Sequence, residues 1–414
     1  MFNKKTINLH ERGHPMIMQK KIVYVGLDVD DKSFHGAGIV AETGELIEFR
    51  CRPDHGVVCK KLVELFGNQY QVHVCYEACY LGYSLCRFLR KSGIQCDVIA
   101  PSLIPVKAGV RVKTDRLDAI KLAEYYQKNL LTPIYIPDET DEEVRDILRS
   151  RNFLVRQRTM LKTHILSACK RYGIWFKEET GSKTNWTDRH ISWLKTRIKT
   201  LERPVCRLDI ELLLAQYTSL SESIEKLEAA MSRVAESERY KKCKDALNCF
   251  RGIDTLSAMT IVSEIGDIRR FARPGQLTSY VGLGVAEYSS GGKEHKKGIT
   301  KAGNTHIRKT IVESCQTVIR PPLISKRIKQ SRAEQPQAVI DVADRCMHRL
   351  YKKGTRMLYA GKHINKIKTA CAREMLGFIW EVMWLVQQGG GYNIKGGTSD
   401  TPIQGQKYER SAVL

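Results

Sequence analysis

The chain has 414 residues, of which 42% are hydrophobic and 27% are charged, so it can build folded cores in two or three domains. Its 68 Lys and Arg residues against 45 Asp and Glu residues give a formal net charge of +23. That excess indicates a polyanionic partner, most simply nucleic acid, with an anionic membrane surface as the alternative. No apolar run reaches the roughly 18–20 residues of a spanning helix, which excludes a transmembrane protein.

The first 20 residues form a basic leader without the apolar core of a secretory signal. The 13 cysteines are scattered, odd in number and without a C-x-x-C pair. This usage favours reduced thiols in the cytoplasm over disulfides or a zinc site.

Residues 21–140 are predicted to form an α/β domain. The predicted strands are 22–27, 34–40, 46–51, 72–76 and 96–100, and the predicted helices are 58–66 and 81–89. Residues 42–45, Glu-Thr-Gly-Glu, supply a hairpin turn between the second and third strands. Three strands in a hairpin series, followed by helix, strand, helix and strand, is the element order of a ribonuclease-H-like domain.

Four acidic residues occupy informative positions in this domain. Asp28 closes the first strand and Glu77 closes the fourth, so adjacent central strands would place them side by side. Asp115 and Asp118 are three residues apart in a predicted helix, which puts both on one face. Four converging carboxylates would repel one another without cations, and two Mg²⁺ ions about 4 Å apart are the usual solution.

Simpler interpretations of these acids remain open. Asp115 could be a helix N-cap, with Asp118 favourable to the helix dipole. Asp28 could be a turn residue. The Gly-Leu-Asp sequence that ends at Asp28 is also similar to the first phosphate loop of actin-like sugar kinases, although the small residues expected after it are missing. Asp30 and Asp31 are spare candidates.

Residues 141–240 are predicted to form a helical coiled-coil region, after Pro133 and Pro137 close the first domain. A helix over 141–172 carries a basic face, on which Arg151, Arg156 and Arg158 are candidate contacts to a nucleic-acid backbone. A loop is expected at residues 177–188. An apolar seam then steps alternately by three and four residues through Ile210, Leu213, Tyr217, Leu220, Ile224, Leu227, Met231 and Val234. Its partner is either the 141–172 helix or another subunit.

Residues 245–386 are predicted to form a mainly helical third region. Two short helices around Gly252 have the pattern of a helix-hairpin-helix, which can bind DNA phosphate through backbone N–H groups. Residues 363–386 are an apolar terminal helix expected to pack on this region. Residues 387–414, rich in glycine and polar groups, are expected to be a flexible tail.

A serine-bearing stretch lies inside this region. Ser289 and Ser290 run directly into two glycines, and cations follow at Lys293, Lys296, Lys297, Lys301 and Arg308. Glycines let backbone N–H groups approach a phosphate, and cations neutralise its charge. A serine hydroxyl held there could attack a phosphodiester, or the stretch could be a solvated loop that at most grips a phosphate.

Together these residues resemble the insertion-sequence transposases of the IS110 group, which have a RuvC-like N-terminal domain with an Asp-Glu-Asp-Asp motif and a serine-bearing C-terminal domain. The resemblance covers roughly residues 21–386. It is carried by residues 24–28, Glu77, residues 113–119 and the block from Ser289 to Arg308. The family often has a proline in the segment before the serines, where this chain has Val-Ala-Glu at 285–287.

The resemblance implies a recombinase that works with a noncoding bridge RNA, which pairs with donor and target DNA, and that assembles as a tetramer of two dimers. It implies that Asp28, Glu77, Asp115 and Asp118 hold Mg²⁺. Ser290, which directly precedes a glycine as the family's serine does, would attack DNA to leave a 5′-phosphoserine link, with Ser289 as second choice. Two alternatives remain: a RuvC-like endonuclease in which water attacks, and a non-catalytic nucleic-acid-binding scaffold.

Overall fold

The computed structural model describes residues 21–67, 69–105, 114–290 and 293–387, with the backbone alone for residues 288–290 and 293–296. The predicted leader, residues 1–20, and the tail from residue 388 onward lie outside the described residues. The chain divides into two compact units. Unit 1 runs to Ile136 and unit 2 begins at Pro137, one of the two prolines expected to close the first domain.

Unit 1 is a mixed α/β structure. Its strands are β1 (Lys21–Val29), β2 (Phe34–Val40), β3 (Leu46–Cys51), β4 (Tyr70–Glu77) and β5 (Gln95–Ile99), and its helices are α1 (His55–Phe66), α2 (Ser84–Lys91) and α3 (Asp115–Gln127). The strands form one sheet in the order β3-β2-β1-β4-β5. The first three strands pair antiparallel, and β1–β4 and β4–β5 pair parallel. The predicted α/β sheet, built from a hairpin series and two helix-linked strands, is confirmed.

The two faces of the sheet are covered differently. Alternate residues of β1, Val23, Val25 and Leu27, are fully buried in a core that also holds Leu62 of α1 and Leu89 of α2. Burying each such side chain contributes about 1.5–3 kcal/mol, so this face anchors the domain. The residues between them point to the other face, which α3 covers.

Gly26 determines how closely α3 approaches the sheet. A Cβ atom at this position would lie 2.3 Å from the carbonyl oxygen of Ala119 and 2.5 Å from the backbone nitrogen of Ala123. The helix backbone therefore rests directly on β1, at a distance that any side chain at position 26 would prevent. This contact sets the distance between α3 and β1.

Unit 2 is mostly helical. Its helices are α4 (Glu139–Arg171), α5 (Phe176–Thr180), α6 (Asp188–Lys199), α7 (Pro204–Ala235), α8 (Glu238–Asn248), α9 (Thr255–Ile265), α10 (Pro274–Val281), α11 (Thr305–Ser314), α12 (Lys326–Arg332), α13 (Gln337–Tyr359) and α14 (Ile364–Gln387), and its strands are β6 (Val285–Ser290) and β7 (Lys293–Ile299). The helical regions predicted separately at 141–240 and 245–386 belong to this one unit. The loop expected at 177–188 is wrong in its first part, because α5 continues to Thr180 and ends at Gly181 in the left-handed conformation.

The two longest helices, α4 and α7, pack against each other antiparallel. Arg151 pairs with Glu228 at 2.8 Å, whereas Arg158, further along α4, contacts Ser221, earlier on α7, at 3.4 Å. The apolar seam predicted on α7 faces this partner: Met231 shares a core with α4 residues Val144 and Leu148. Of the two partners that the spacing left open, the α4 helix of the same chain is the one observed.

The remaining helices of unit 2 surround a large apolar core. The helix pair predicted around Gly252 is present as α8 and α9, and the Asp254 side chain caps α9 by accepting a hydrogen bond from the Ser257 backbone. The predicted terminal helix is present as α14, whose residues Leu376 and Ile379 are fully buried in this core. The 13 cysteines all lie in the described residues as unbridged thiols. Over the described ranges, no helix is long and apolar enough to span a bilayer.

Candidate active site

The strand register of unit 1 aligns three polar residues across the end of the sheet. Asp28 of β1 lies opposite His35 of β2, and the pair Leu27–Tyr76 places Glu77 of β4 beside Asp28. Register partners share a face of a sheet, and residues two apart on one strand share it as well. Gly26 faces α3, so His35, Asp28 and Glu77 all belong to the face that α3 covers.

The first turn of α3 brings the second pair of acids to the same face. The Thr114 side chain caps the helix by accepting a hydrogen bond of 3.3 Å from the Leu117 backbone. The alternative in which Asp115 is the N-cap is therefore wrong. Asp115 begins the helix with its Oδ2 atom 3.7 Å from Nδ1 of His35, and Asp118 is half-buried one turn further.

The far end of α3 is fixed to the sheet by a second set of contacts. The hydroxyl of Tyr126 donates a hydrogen bond of 2.7 Å to Asp97 of β5, and its ring meets Tyr24 of β1 edge-on at 5.5 Å. Burial, followed by the neighbouring Asp97 carboxylate, raises the pKa of Tyr126, so the phenol stays protonated as the donor. With Gly26 in the middle, α3 is held along its length.

The four acids share a face without closing into a ligand cluster. Among the residues that the structure describes, no three His, Cys, Asp or Glu side chains lie close enough together to hold a metal ion. The donor set is nevertheless suitable for a divalent cation, since carboxylate oxygens are the ligands that Mg²⁺ and Ca²⁺ prefer. The spare candidate Asp30 is a turn residue, because its carboxylate accepts a 2.9 Å hydrogen bond from the Lys32 backbone. Asp31 is exposed on the same turn.

In unit 2 the two serines lie at the end of a strand that belongs to a β-hairpin. β6 and β7 pair antiparallel, with Ser289 opposite Glu294 and Ser290 opposite Lys293. Ser290 is thus the last residue of its strand before the two glycines. The side chains of Ser289, Ser290, Lys293 and Lys296 lie outside the described part of the structure, and Lys297 is exposed.

The base of this serine hairpin is tied to α10 and α11. The backbone N–H of Asn304 donates to the Tyr280 carbonyl at 2.8 Å, and Nη1 of Arg308 donates to the Val281 carbonyl at 2.7 Å. Gly303 has a φ of +120°, and a Cβ atom there would lie 2.1 Å from the Tyr280 carbonyl oxygen. Arg308, predicted as a nucleic-acid contact, therefore has a structural role. Lys301 is exposed at the end of the hairpin.

A buried carboxylate connects the hairpin base to the helices. The Glu264 side chain is 3% exposed, and Arg149 of α4 donates to its Oε1 atom at 2.9 Å. Arg145, itself 5% exposed, lies 3.8 Å from Oε2. Asn304 donates to the same Oε2 atom at 2.8 Å, and its own Oδ1 atom caps α11. Two cations and an amide thus surround one buried carboxylate, as a buried charge requires partners.

The predicted phosphate contacts on α4 occupy different environments. Arg151 is held by Glu228 in the α4–α7 pair, and Arg158 contacts Ser221 across the same pair. Arg156 is exposed. Gly252, in the predicted helix-hairpin-helix, is required by packing, since a Cβ atom there would lie 2.1 Å from the Ser314 carbonyl oxygen.

Sequence reasoning missed His35 and Glu264. Glu264 is the only charged residue in the apolar run from Ala258 to Ile265, and a carboxylate inside an apolar helix indicates a buried partner. For His35 the signal was the register of the β1–β2 hairpin, in which His35 pairs with Asp28. That register could be used only once the pairing of the two strands was known.

Comparison with known proteins agrees with both halves of this description. Residues 25–174 match a DEDD-type family model described as a transposase. Residues 244–329 match the model described as the transposase IS116/IS110/IS902 family. The two matches place the chain among the transposases.

Full-length relatives extend the match. The candidate transposase y4qE of Sinorhizobium fredii is 32% identical over 363 residues, covering 87% of this chain and 88% of the relative. The transposase of IS1533 from Leptospira borgpetersenii is 28% identical over 81% of this chain and 96% of its own length. That of IS1111A from Coxiella burnetii is 25% identical over 73% and 79%. This chain belongs to the IS116/IS110/IS902 family of transposases.

Proposed function

We propose that this protein is a DNA recombinase of an insertion sequence, which cuts and rejoins strands through a 5′-phosphoserine link at Ser290 and a Mg²⁺-dependent acidic site. The observation that carries the proposal is the strand register of unit 1. It aligns Asp28 with Glu77 on the face where α3 presents Asp115 and Asp118.

The strand order supports a RuvC-like fold for unit 1. An antiparallel hairpin series extended by two parallel strands places the carboxyl ends of β1 and β4 next to each other. Asp28 and Glu77 stand at those ends. The close contact of α3 at Gly26 brings a helix N-terminus to the same end of the sheet.

Asp28, Glu77, Asp115 and Asp118 are the residues that would hold the cations. Divalent cations bound there would neutralise the carboxylates, polarise a phosphate and stabilise a leaving oxygen. The protein supplies the oxygen donors and fixes their spacing by the rigid seating of α3. His35 lies beside this set, with its Nδ1 atom 3.7 Å from the Asp115 carboxylate.

In the proposed covalent step, Oγ of Ser290 attacks the phosphorus of a DNA phosphodiester. The new Oγ–P bond forms as the bond from phosphorus to the 3′ oxygen breaks. The 3′ oxygen gains a proton while Oγ loses one, so the step is balanced without another reactant. Attack by the 3′ hydroxyl of an exchanged strand reverses the step and releases the serine, so rejoining needs no ATP. The position of Ser290 at a hairpin end, ahead of two glycines, supports access to a DNA strand.

The proposal has two further parts. A noncoding bridge RNA selects donor and target DNA, and the protein assembles as a tetramer of two dimers. Selection by RNA is consistent with a net charge of +23 on a chain without a recognised base-reading module. The proposed place of action is the bacterial nucleoid.

The covalent link provides the decisive test. The purified protein would be incubated with Mg²⁺ and element-end DNA, denatured, and assayed for a DNA–protein adduct. Ser290→Ala should abolish the adduct, while the matched variants Ser289→Ala and Lys293→Ala should retain it. Strand cleavage that survives Ser290→Ala without an adduct would instead establish an endonuclease that uses water.

Two further measurements test the other parts. Asp28→Ala should abolish transposition, and full transposition by this variant would support a non-catalytic scaffold. Expression of the gene with its flanking noncoding DNA, followed by sequencing of RNA that copurifies, tests for the guide. RNA of random origin would reject the bridge-RNA part alone.

A further inference from the structure

We propose that the exposed face of α13 is a binding surface for the phosphate backbone of duplex DNA. This surface is separate in sequence from the acidic residues and from the serine hairpin. It lies in the groove between α13 and α14, whose volume is about 730 Å³. The groove is lined chiefly by Arg345, Arg349, Lys352, Lys353 and Arg356 of α13 and by Glu374 of α14.

The helix α13 has two sharply different faces. One face is buried in the core of unit 2 through Val342, Cys346 and Leu350. The other carries the five cations, of which Lys353 alone is half-buried and the rest are exposed. An amphipathic helix of this kind is common, but from Arg345 to Arg356 its sequence holds five cations and no carboxylate, an excess that solubility does not require.

Two carboxylates of α14 hold part of the cationic face in place. Glu374 accepts hydrogen bonds from Arg349 at 3.0 Å and from Lys353 at 2.7 Å, and Glu381 accepts one from Arg345 at 2.5 Å. Burial alone would raise the pKa of Glu374, but these two cations hold it below its usual range. Arg345, Arg349 and Lys353 are therefore positioned before a ligand binds, which reduces the entropy that they lose on binding.

Two cations remain directed to solvent. Among the described residues, Lys352 and Arg356 have no carboxylate partner, whereas Arg345, Arg349 and Lys353 do. The five cations exceed the two carboxylates that face them, so the groove keeps a positive excess. An anionic ligand can add to the groove without displacing an existing ion pair.

The spacing of the cations matches a regular row of phosphates. Arg345, Arg349, Lys352 and Arg356 follow at steps of four, three and four residues, which keeps them on one side of the helix. At 1.5 Å per residue the row extends over roughly 16 Å. One strand of B-DNA advances about 3.4 Å per phosphate, so the row can follow about five nucleotides.

The groove chemistry favours duplex DNA over the other polyanions. Single strands are usually held by Phe, Tyr or Trp side chains that stack on bases, and Phe378, which is the one residue of these types among the described lining residues, packs against the core. Duplex RNA is recognised through its 2′ hydroxyls as well as its phosphates. The residues that line this groove are mainly cations, which neutralise phosphates without requiring a 2′ hydroxyl.

The salt dependence of binding tests the proposal. The full-length double variant Lys352→Ala/Arg356→Ala would be titrated with a short DNA duplex over a series of salt concentrations. Each phosphate contact contributes about 0.9 to the slope of log affinity against log salt, so the slope should fall by about 1.8. At about 0.1 M salt the affinity should fall on the order of tenfold for each cation removed.

A matched variant controls for net charge. Lys195→Ala/Lys199→Ala removes two exposed cations from α6 of the same unit and should leave the slope unchanged. An equal fall in both double variants would overturn the proposal, because the effect would then be one of overall charge. Parallel titrations with an RNA duplex of the same sequence and with anionic lipid vesicles identify the ligand. An effect confined to either of these would also overturn it, whatever the outcome of the Ser290 adduct assay.

Discussion

The Oε2 atom of Glu264 accepts a hydrogen bond of 2.8 Å from Nδ2 of Asn304. This single contact joins the buried centre of unit 2 to the segment that follows the serine hairpin. Asn304 also caps α11 and donates its backbone N–H to Tyr280, so its position is set by three separate elements. Glu264 is in turn held by Arg149. The hairpin base is thus fixed by a buried charge rather than by apolar packing alone.

Replacing Glu264 should therefore destabilise unit 2 strongly. Glu264→Gln removes the charge and leaves the buried Arg145 without a counterion, and breaking a buried pair costs about 3–5 kcal/mol. Denaturant unfolding would measure the loss. The more exposed pair Arg151–Glu228 supplies the control, and Glu228→Gln should cost less than about 1 kcal/mol. Equal losses in the two variants would contradict the assignment of Glu264 as the anchor.

The close contact between Gly26 and α3 leads to a second, independent prediction, which concerns the acidic face. In Gly26→Ala the new Cβ atom would lie 2.3 Å from the Ala119 carbonyl, so α3 must move away from β1. Overpacking of this kind costs about 1–3 kcal/mol, and it would also shift Asp115 and Asp118 relative to Asp28. Hydrogen exchange of the α3 amides should accelerate. Gly377→Ala, where nothing lies within 4 Å of the added atom, should leave those amides unchanged.

The strands of unit 1 were predictable because local signals there agree with the tertiary structure. The predicted spans for β2 and β3 match the observed Phe34–Val40 and Leu46–Cys51. Two short runs that contain apolar and β-branched residues, separated by a Glu-Thr-Gly-Glu turn at 42–45, leave little choice other than a hairpin. The positions of Asp28 and Glu77 at strand ends then follow from the strand bounds.

Features that depend on contacts between distant segments were not predictable. The heptad spacing on α7 identified an apolar seam but carried no information on its partner, since α4 and a second subunit present the same kind of surface. The helix α13 was missed, although Val339, Val342, Cys346 and Leu350 step by three and four residues. The role of Arg308 as a hairpin anchor depends on the Val281 carbonyl, 27 residues earlier in the sequence.

His35 provides a test of the acidic site that does not rely on cutting DNA. Its Nδ1 atom is buried without a hydrogen-bond partner among the described residues, and it lies 3.7 Å from the Asp115 carboxylate. Residues that orient metal ligands typically contribute 10- to 100-fold to metal affinity. If the four acids bind cations, His35→Asn should weaken Mn²⁺ binding, measured by calorimetry, by about tenfold.

Two variants make this result interpretable. Asp28→Asn should abolish Mn²⁺ binding, which tests the acidic site itself. His73→Asn alters another histidine on the same sheet face, one that packs on Tyr24 at 5.5 Å away from the strand ends, and should leave the affinity unchanged. Normal Mn²⁺ affinity in His35→Asn, combined with its loss in Asp28→Asn, would reject the role of His35 alone.

A small apolar core joins α6 to α4 and α7 and includes Ile165, Leu194 and Ile210. The stability of this core should decrease in acid. His190 is 1% exposed there, its Nδ1 atom accepts a 3.1 Å hydrogen bond from the Trp186 backbone, and its ring lies 4.5 Å from that of Phe176. Burial lowers the pKa of His190 below its ordinary value of about 6.5. The folded protein therefore keeps this imidazole neutral at pH values where the unfolded chain protonates it.

The sign of the pH effect follows from this difference. Below a pH of about 6.5 the unfolded state binds a proton at His190 that the folded state does not bind. The contribution of neutral His190 to stability is therefore complete above that pH, and it is lost as the pH falls toward the lowered pKa of the folded state. One such group contributes a slope of at most about 1.4 kcal/mol per pH unit. Urea unfolding followed by tryptophan fluorescence, to which Trp186 and Trp193 beside His190 contribute, should show this slope. His190→Asn should reduce the slope, whereas the control His164→Asn, at an exposed position on α4, should preserve it, and an unchanged slope in His190→Asn would contradict the assignment.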